Sequence, residues 1–84
     1  NVETLYKLMD GRAEVLEFIA KDGSRTLNIP LKDMNLKRNI LITGIMRNRQ
    51  TVIPSGADHI EADDRVIVIA SGQRLNDLDD ILKK

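Results

Sequence analysis

Ile40-Leu41-Ile42-Thr43-Gly44-Ile45-Met46 is the stretch on which the fold turns. It is uncharged, has a β-branched majority, and is bounded by Arg38-Asn39 and Arg47-Asn48. A short apolar run of this composition between polar boundaries reads as a buried strand. Gly44 inside it marks a bulge or a close backbone approach. Asn48-Arg49 then supplies a turn, and residues 50–53 return as a second short strand, so the two form a central hairpin.

Working outward, Arg65 to Ala70 contains Val66-Ile67-Val68-Ile69, the clearest strand signal in the chain. Ser71-Gly72 closes it, with Ser71 placed to cap a following helix. Leu75, Leu78, Ile81 and Leu82 fall on one face of that expected C-terminal helix, with Asp77 near its start and Lys83-Lys84 at its end. On the N-terminal side, Lys21-Asp22-Gly23-Ser24 is a turn, which favours a strand over residues 13–20. Residues 1–9 fit either state: Val2, Leu5, Leu8 and Met9 suit a helix face, while Val2, Thr4, Tyr6 and Leu8 alternate as in a strand. Between Leu31 and Leu36, residues 32–35 have room for one helical turn. The expected class is therefore α/β (α+β), a small mixed or antiparallel sheet with a central hairpin and a C-terminal helix.

The 84 residues make one domain, expected to be a fragment of a longer protein because the chain starts at Asn1 without an initiator Met. Tyr6 and Phe18 are the only aromatic residues, so the core must be aliphatic and thin, and a partner surface is expected to complete it. Thirteen basic residues balance thirteen acidic ones, which leaves no electrostatic footprint for nucleic acid. The absence of cysteine excludes disulfides and zinc-thiolate sites. No run approaches the length of a membrane-spanning helix.

No catalytic constellation is legible. His59 is the sole histidine and sits in a polar loop with Asp58 and Glu61, without a nucleophile for it to activate. Asp58, Glu61, Asp63 and Asp64 form an acidic cluster, but the spacing is not that of an EF-hand, so it reads as a solvated loop and no metal site is expected. Asp64, just ahead of a hydrophobic strand, is suited to accept backbone N–H bonds and fix the turn. The five glycines are scattered and form no phosphate-binding loop. Arg38, Arg47 and Arg49 lie at the two ends of the hairpin, where guanidinium groups can hold a phosphate or simply keep strand ends soluble.

Ordered motifs run through most of the chain. Leu31-Lys32-Asp33-Met34-Asn35-Leu36, then Ile42-Thr43-Gly44-Ile45-Met46-Arg47, then Ile53-Pro54-Ser55-Gly56, and finally Asp64-Arg65-Val66-Ile67-Val68 resemble the successive motifs of the RCK C-terminal (TrkA-C) family, and Gly11 to Phe18 resembles its opening. Asn28 and Asp63 stand where the family has Gly, and Lys37 where Pro is common. The resemblance implies a non-enzymatic regulatory module of potassium uptake or channel proteins. It implies a cytoplasmic domain, peripheral to the inner face of the membrane, that pairs as a homodimer and acts on a membrane transporter or channel subunit of its parent system. It further implies no resident cofactor but a small ligand, such as a cyclic dinucleotide, held between two copies. Carried over by position, that ligand site falls on Arg38, Asn39 and Ile40, with Pro54 and Arg47 nearby. A module that pairs without a ligand, or the same module attached to another ion transporter, are the alternatives.

Overall fold

A computed structural model describes residues 2–83. Five strands, β1 (Val2–Leu8), β2 (Ala13–Ile19), β3 (Ile40–Arg47), β4 (Gln50–Val52) and β5 (Arg65–Ser71), form one sheet in the order β1-β2-β5-β3-β4, with every neighbouring pair antiparallel. The ambiguous N-terminal segment is thus a strand. It pairs with β2 across a bulge between Thr4 and Tyr6 and sits at the edge, most of its residues exposed.

The expected hairpin is present. Asn48 and Arg49 both adopt positive φ (52° and 65°), the two-residue loop whose twist matches that of the flanking strands. The irregularity expected at Gly44 is also found: the β3–β5 register shifts between Ile42 and Gly44. Asn28 and Asp63 have φ of 61° and 73°. Each keeps the left-handed backbone for which a glycine is the usual choice, because Asn and Asp pay the smallest penalty there. Lys37 uses what a proline would lack: its N–H donates to the Ile81 carbonyl at 2.8 Å.

One face of the sheet carries the core. Leu16, Val68 and Ile42 align across β2, β5 and β3, as do Phe18, Val66 and Ile45. These six are buried, and Met34, Ile60, Leu75, Leu78 and Ile81 cover them from the connecting segments. Each such side chain contributes roughly 1.5–3 kcal/mol on leaving water.

The C-terminal helix is not there, and the architecture is mostly β rather than α/β. Leu75, Leu78 and Ile81 are buried as their spacing suggests, but only Leu78–Ile81 closes, as a single 3-10 turn. Asp77 and Asp80 form a capping box, with Leu78 N–H donating to Asp77 Oδ1 at 2.8 Å. Asp79 is drawn away by the Ser24 hydroxyl and the Arg25 amide. Three carboxylates in four positions hold local backbone and distant donors instead of prolonging a helix. The chain then leaves extended: Leu82 bridges to Leu36, and Lys83 N–H bonds Asn35 O at 2.8 Å. Ser71, expected to cap that helix, is instead the last residue of β5, its N–H donating to Asn39 O at 3.0 Å. The other expected turn, between Leu31 and Leu36, is present as a 3-10 turn over Leu31–Asp33.

Candidate functional site

The sheet register sorts the candidate residues between the two ends of β3. Because Met46 opposes Arg65, the next residue out, Arg47, lies beside Asp64. Arg47 donates from Nε to Asp64 Oδ1 (2.8 Å) and from Nη2 to Asp64 Oδ2 (2.7 Å), a bidentate fork. Its Nη2 also donates to the His59 carbonyl (2.9 Å), and Nη1 lies 3.2 Å from Glu61 Oε2. Asp64 Oδ2 accepts the Glu61 N–H as well (2.8 Å), the turn-fixing role expected of this residue. The Asp64 side chain is 1% exposed, so this pair is closed in by the protein.

Burial alone would lift the Asp64 carboxyl. The hydrogen bonds from Arg47 and the Glu61 amide, with the Arg47 charge, prevail and hold it below the ordinary carboxylate range. Its hydrogen bonds to Asp64 raise Arg47, helped by the Asp64 and Glu61 charges, against a smaller opposing effect of desolvation. His59 Nε2 completes the cluster, 3.0 Å from Glu61 Oε2. Chemically this end of β3 is a clamp. It ties the hairpin to the loop that enters β5, and the donors of Arg47 face their own protein.

The other end is open. Arg38 and Asn39 are exposed at the start of β3, and Asn39 has a φ of 61°. Gln73 Nε2 donates to the Arg38 carbonyl at 3.1 Å, joining this point to the segment after β5. An antiparallel sheet brings the ends of β1 and β5 and the starts of β2 and β3 together here. Arg12 precedes β2, Arg38 precedes β3 and Arg74 follows β5, so three exposed arginines share one end of the sheet. Among the described residues none of the three is in an ion pair. A cavity of about 550 Å³ opens at this end, lined by Arg12, Glu14, Ser71, Gly72, Gln73 and Arg74 among others.

The sequence-derived set is therefore divided. Arg38, Asn39 and Ile40 are consecutive at the open end, whereas Arg47 stands at the far end of the strand, roughly 23 Å from Ile40 at strand rise. Pro54 follows β4, which starts opposite Arg47 and runs back toward the start of β3. Arg12 and Arg74 were not legible as candidates. The β2–β5 pairing, in which Ala13 opposes Ser71, brings these two together, and the β3–β5 pairing, in which Ile40 opposes Ala70, brings Arg38 to the same end. Among the described residues, no group of three or more His, Asp or Glu is placed to hold a metal ion, and no helix is long and apolar enough to cross a membrane.

Comparison with known proteins places this geometry. Over 82 residues the chain is 27% identical to the Trk system potassium uptake protein TrkA homolog 1 of Methanosarcina mazei, covering 98% of the chain and 18% of that protein. It is 32% identical over 69 residues to the Trk system potassium uptake protein TrkA of Azorhizobium caulinodans, covering 82% of the chain and 15% of that protein. A TrkA homolog of Pyrococcus abyssi is 30% identical over 73 residues, 86% of the chain and 32% of that protein. The chain thus spans less than a fifth of the first curated relatives it matches. Among solved structures, "Structure of RCK domain with cda" has the same fold, with a TM-score of 0.67 at 23% identity, over 82% of this chain and 97% of that one. The model of the TrkA-C domain, a regulatory and not an enzymatic family, matches residues 15–83, and the chain belongs to that family.

Proposed function

We propose that this chain is a ligand-sensing and dimerisation module of a potassium uptake regulator, and that its ligand is a small anion of the cyclic-dinucleotide class. The observation that carries the reading is the open end of the sheet, where Arg12 and Arg74 line the cavity and Arg38 stands at the same end ahead of β3, all three without ion-pair partners among the described residues. Guanidinium groups that are not engaged in ion pairs are suited to phosphate oxygens, and the three arginines outnumber the one carboxylate, Glu14, in the cavity lining. Asn39, Ile40 and Pro54 contribute to the same site, with Arg38 as its principal charge. Two copies share it, because a two-fold axis doubles the charge around one ligand. The parent protein works at the cytoplasmic face of the membrane on a transporter or channel subunit. There, ligand binding shifts the relative orientation of paired domains and so biases the pore. Arg47 belongs to the same functional unit through the clamp, which sets the far end of β3 against which the ligand end moves.

Cyclic di-AMP is the first probe. A ligand that binds only the folded state at about 100 times its dissociation constant adds ~2.7 kcal/mol. For a domain of this size that raises the melting temperature by roughly 10–20 °C. Arg38→Ala should abolish the shift and Arg49→Ala should leave it. No shift with cyclic di-AMP or its diguanylate counterpart, or an undiminished shift in Arg38→Ala, refutes the sensing site.

A further inference from the structure

Glu14 is the one acidic side chain in the wall of the cavity at the open end. It shares a face of β2 with the core residue Leu16, and the register sets it between Lys7 on β1 and Ala70 on β5. The wall grades inward: Arg12 and Arg74 are exposed, Glu14 and Gln73 half-buried, and Leu16, Ala70 and Leu75 buried. Every other buried or half-buried carboxylate is answered by a donor of the protein. Arg65 meets Glu17, Arg47 meets Asp64 and Glu61, and the Ser24 hydroxyl meets Asp79. Backbone amides meet Asp58 and Asp80. Glu14 alone has no ion pair and no hydrogen bond to its carboxylate among the described residues. A half-buried carboxylate left open in a cavity is an acceptor kept for a donor that the chain does not supply.

We infer that Glu14 is the base-selecting residue of the ligand site and that it favours guanine over adenine. The inference rests on the reading of this end as a nucleotide site, and it says which base that site takes. Guanine carries two adjacent donors, N1–H and the 2-amino group, spaced to meet both oxygens of one carboxylate in a charge-assisted, bidentate pair. Its other edge carries two acceptors, O6 and N7, which fit an arginine fork. Adenine turns the lone pair of its N1 toward the same carboxylate, so one of the two hydrogen bonds is replaced by repulsion. The side chain that suits adenine is a carboxamide, which donates and accepts together. Gln73 is the one carboxamide in the wall, and its Nε2 already donates to the Arg38 carbonyl at 3.1 Å. The inward grading also orients the ligand. Phosphates stay with the exposed arginines, and the base passes inward to Glu14 with Leu16 and Leu75 beside it. A volume of about 550 Å³ lies within the roughly 300–1,000 Å³ of small-molecule sites. The phosphate contacts are common to both dinucleotides, so the adenine form binds as well, more weakly.

Calorimetric titration of the chain with cyclic di-GMP and with cyclic di-AMP tests this. The guanine form should bind at least about 10-fold more tightly, as a bidentate base contact provides. Glu14→Gln keeps the shape and turns one oxygen into a donor, which complements adenine, so the order should reverse. Loss of the negative charge by itself would raise both affinities together and leave their ratio unchanged. Equal binding by the parent, a parent preference for cyclic di-AMP, or a variant that keeps the parent's ratio overturns the role of Glu14 while leaving the site intact. Binding of neither dinucleotide overturns the reading of the site, and the inference with it. Should the variant fail to fold, cyclic di-IMP decides on the parent chain. Hypoxanthine lacks only the 2-amino group of guanine, so this ligand should bind about 10-fold more weakly than cyclic di-GMP. Equal affinity for the two overturns the assignment.

Discussion

Replacing Arg47 by methionine keeps the aliphatic stem of the side chain and removes the guanidinium. Asp64 then loses both arms of its fork, the His59 carbonyl loses its donor, and Glu61 loses its cation. What remains for Asp64 is a single hydrogen bond from the Glu61 amide, in a place where its side chain is 1% exposed. Removing one partner of a buried ion pair costs about 3–5 kcal/mol, most of it the penalty of leaving the other charge without compensation. Arg47 itself is one-third exposed, which lets water reach the gap and places the expected loss at the lower end, ~3 kcal/mol. A domain of this length has roughly 4–12 kcal/mol in total, and a loss of this size should lower its melting temperature by about 12–24 °C. Urea unfolding followed by far-ultraviolet circular dichroism measures the loss. Adding Asp64→Asn in the same chain removes the stranded charge and should recover ~1–2 kcal/mol relative to Arg47→Met alone. A loss below ~1 kcal/mol, or a double variant no more stable than Arg47→Met, would show that the clamp does not hold the fold and refute the reasoning.

Two further outcomes follow from the same geometry. The folded Asp64 carboxyl is held below its ordinary value, so its contribution to stability is complete above the unfolded pKa of about 3.9 and is lost as pH falls through the depressed folded value. Chemical unfolding at a series of pH values between 7 and 2 should show that decline for the parent chain and a shallower one for Asp64→Asn; equal slopes would contradict it. At Asp63, where φ is 73°, glycine should be neutral or stabilising by up to ~1 kcal/mol, whereas valine should cost ~1–2 kcal/mol. Thermal melts of the two variants that ranked valine above glycine would overturn the assignment of backbone strain there.

The parts of the fold that were legible in the sequence are those whose signal is local. Ile40 to Met46 and Val66 to Ile69 read as strands because β-branched runs between turns have few other solutions. Asn48-Arg49 announced the hairpin. The C-terminal segment misled for a definite reason. Leu75, Leu78 and Ile81 are buried as a helix face would be, but the periodicity of burial did not specify the backbone. Asp77, Asp79 and Asp80 commit their carboxylates to the turn and to Ser24 and Arg25 far away in sequence. The candidate site was legible only in part. Arg38 and Asn39 stand out beside the central strand, but their company at the open end depends on register, since Arg12 and Arg74 are brought there by β2 pairing with β5. The same is true of Arg47. As a turn-flanking arginine it resembles Arg38, and only the alignment of Met46 with Arg65 shows that its neighbour is Asp64.

The central claim is that two copies share one anionic ligand at the arginine-rich end of the sheet. Sedimentation equilibrium of the chain with and without cyclic di-AMP, combined with calorimetric titration of the same samples, addresses it directly. The account predicts one dinucleotide per two chains and tighter self-association in its presence. One ligand per chain with no change in association, or no binding at all, would contradict it.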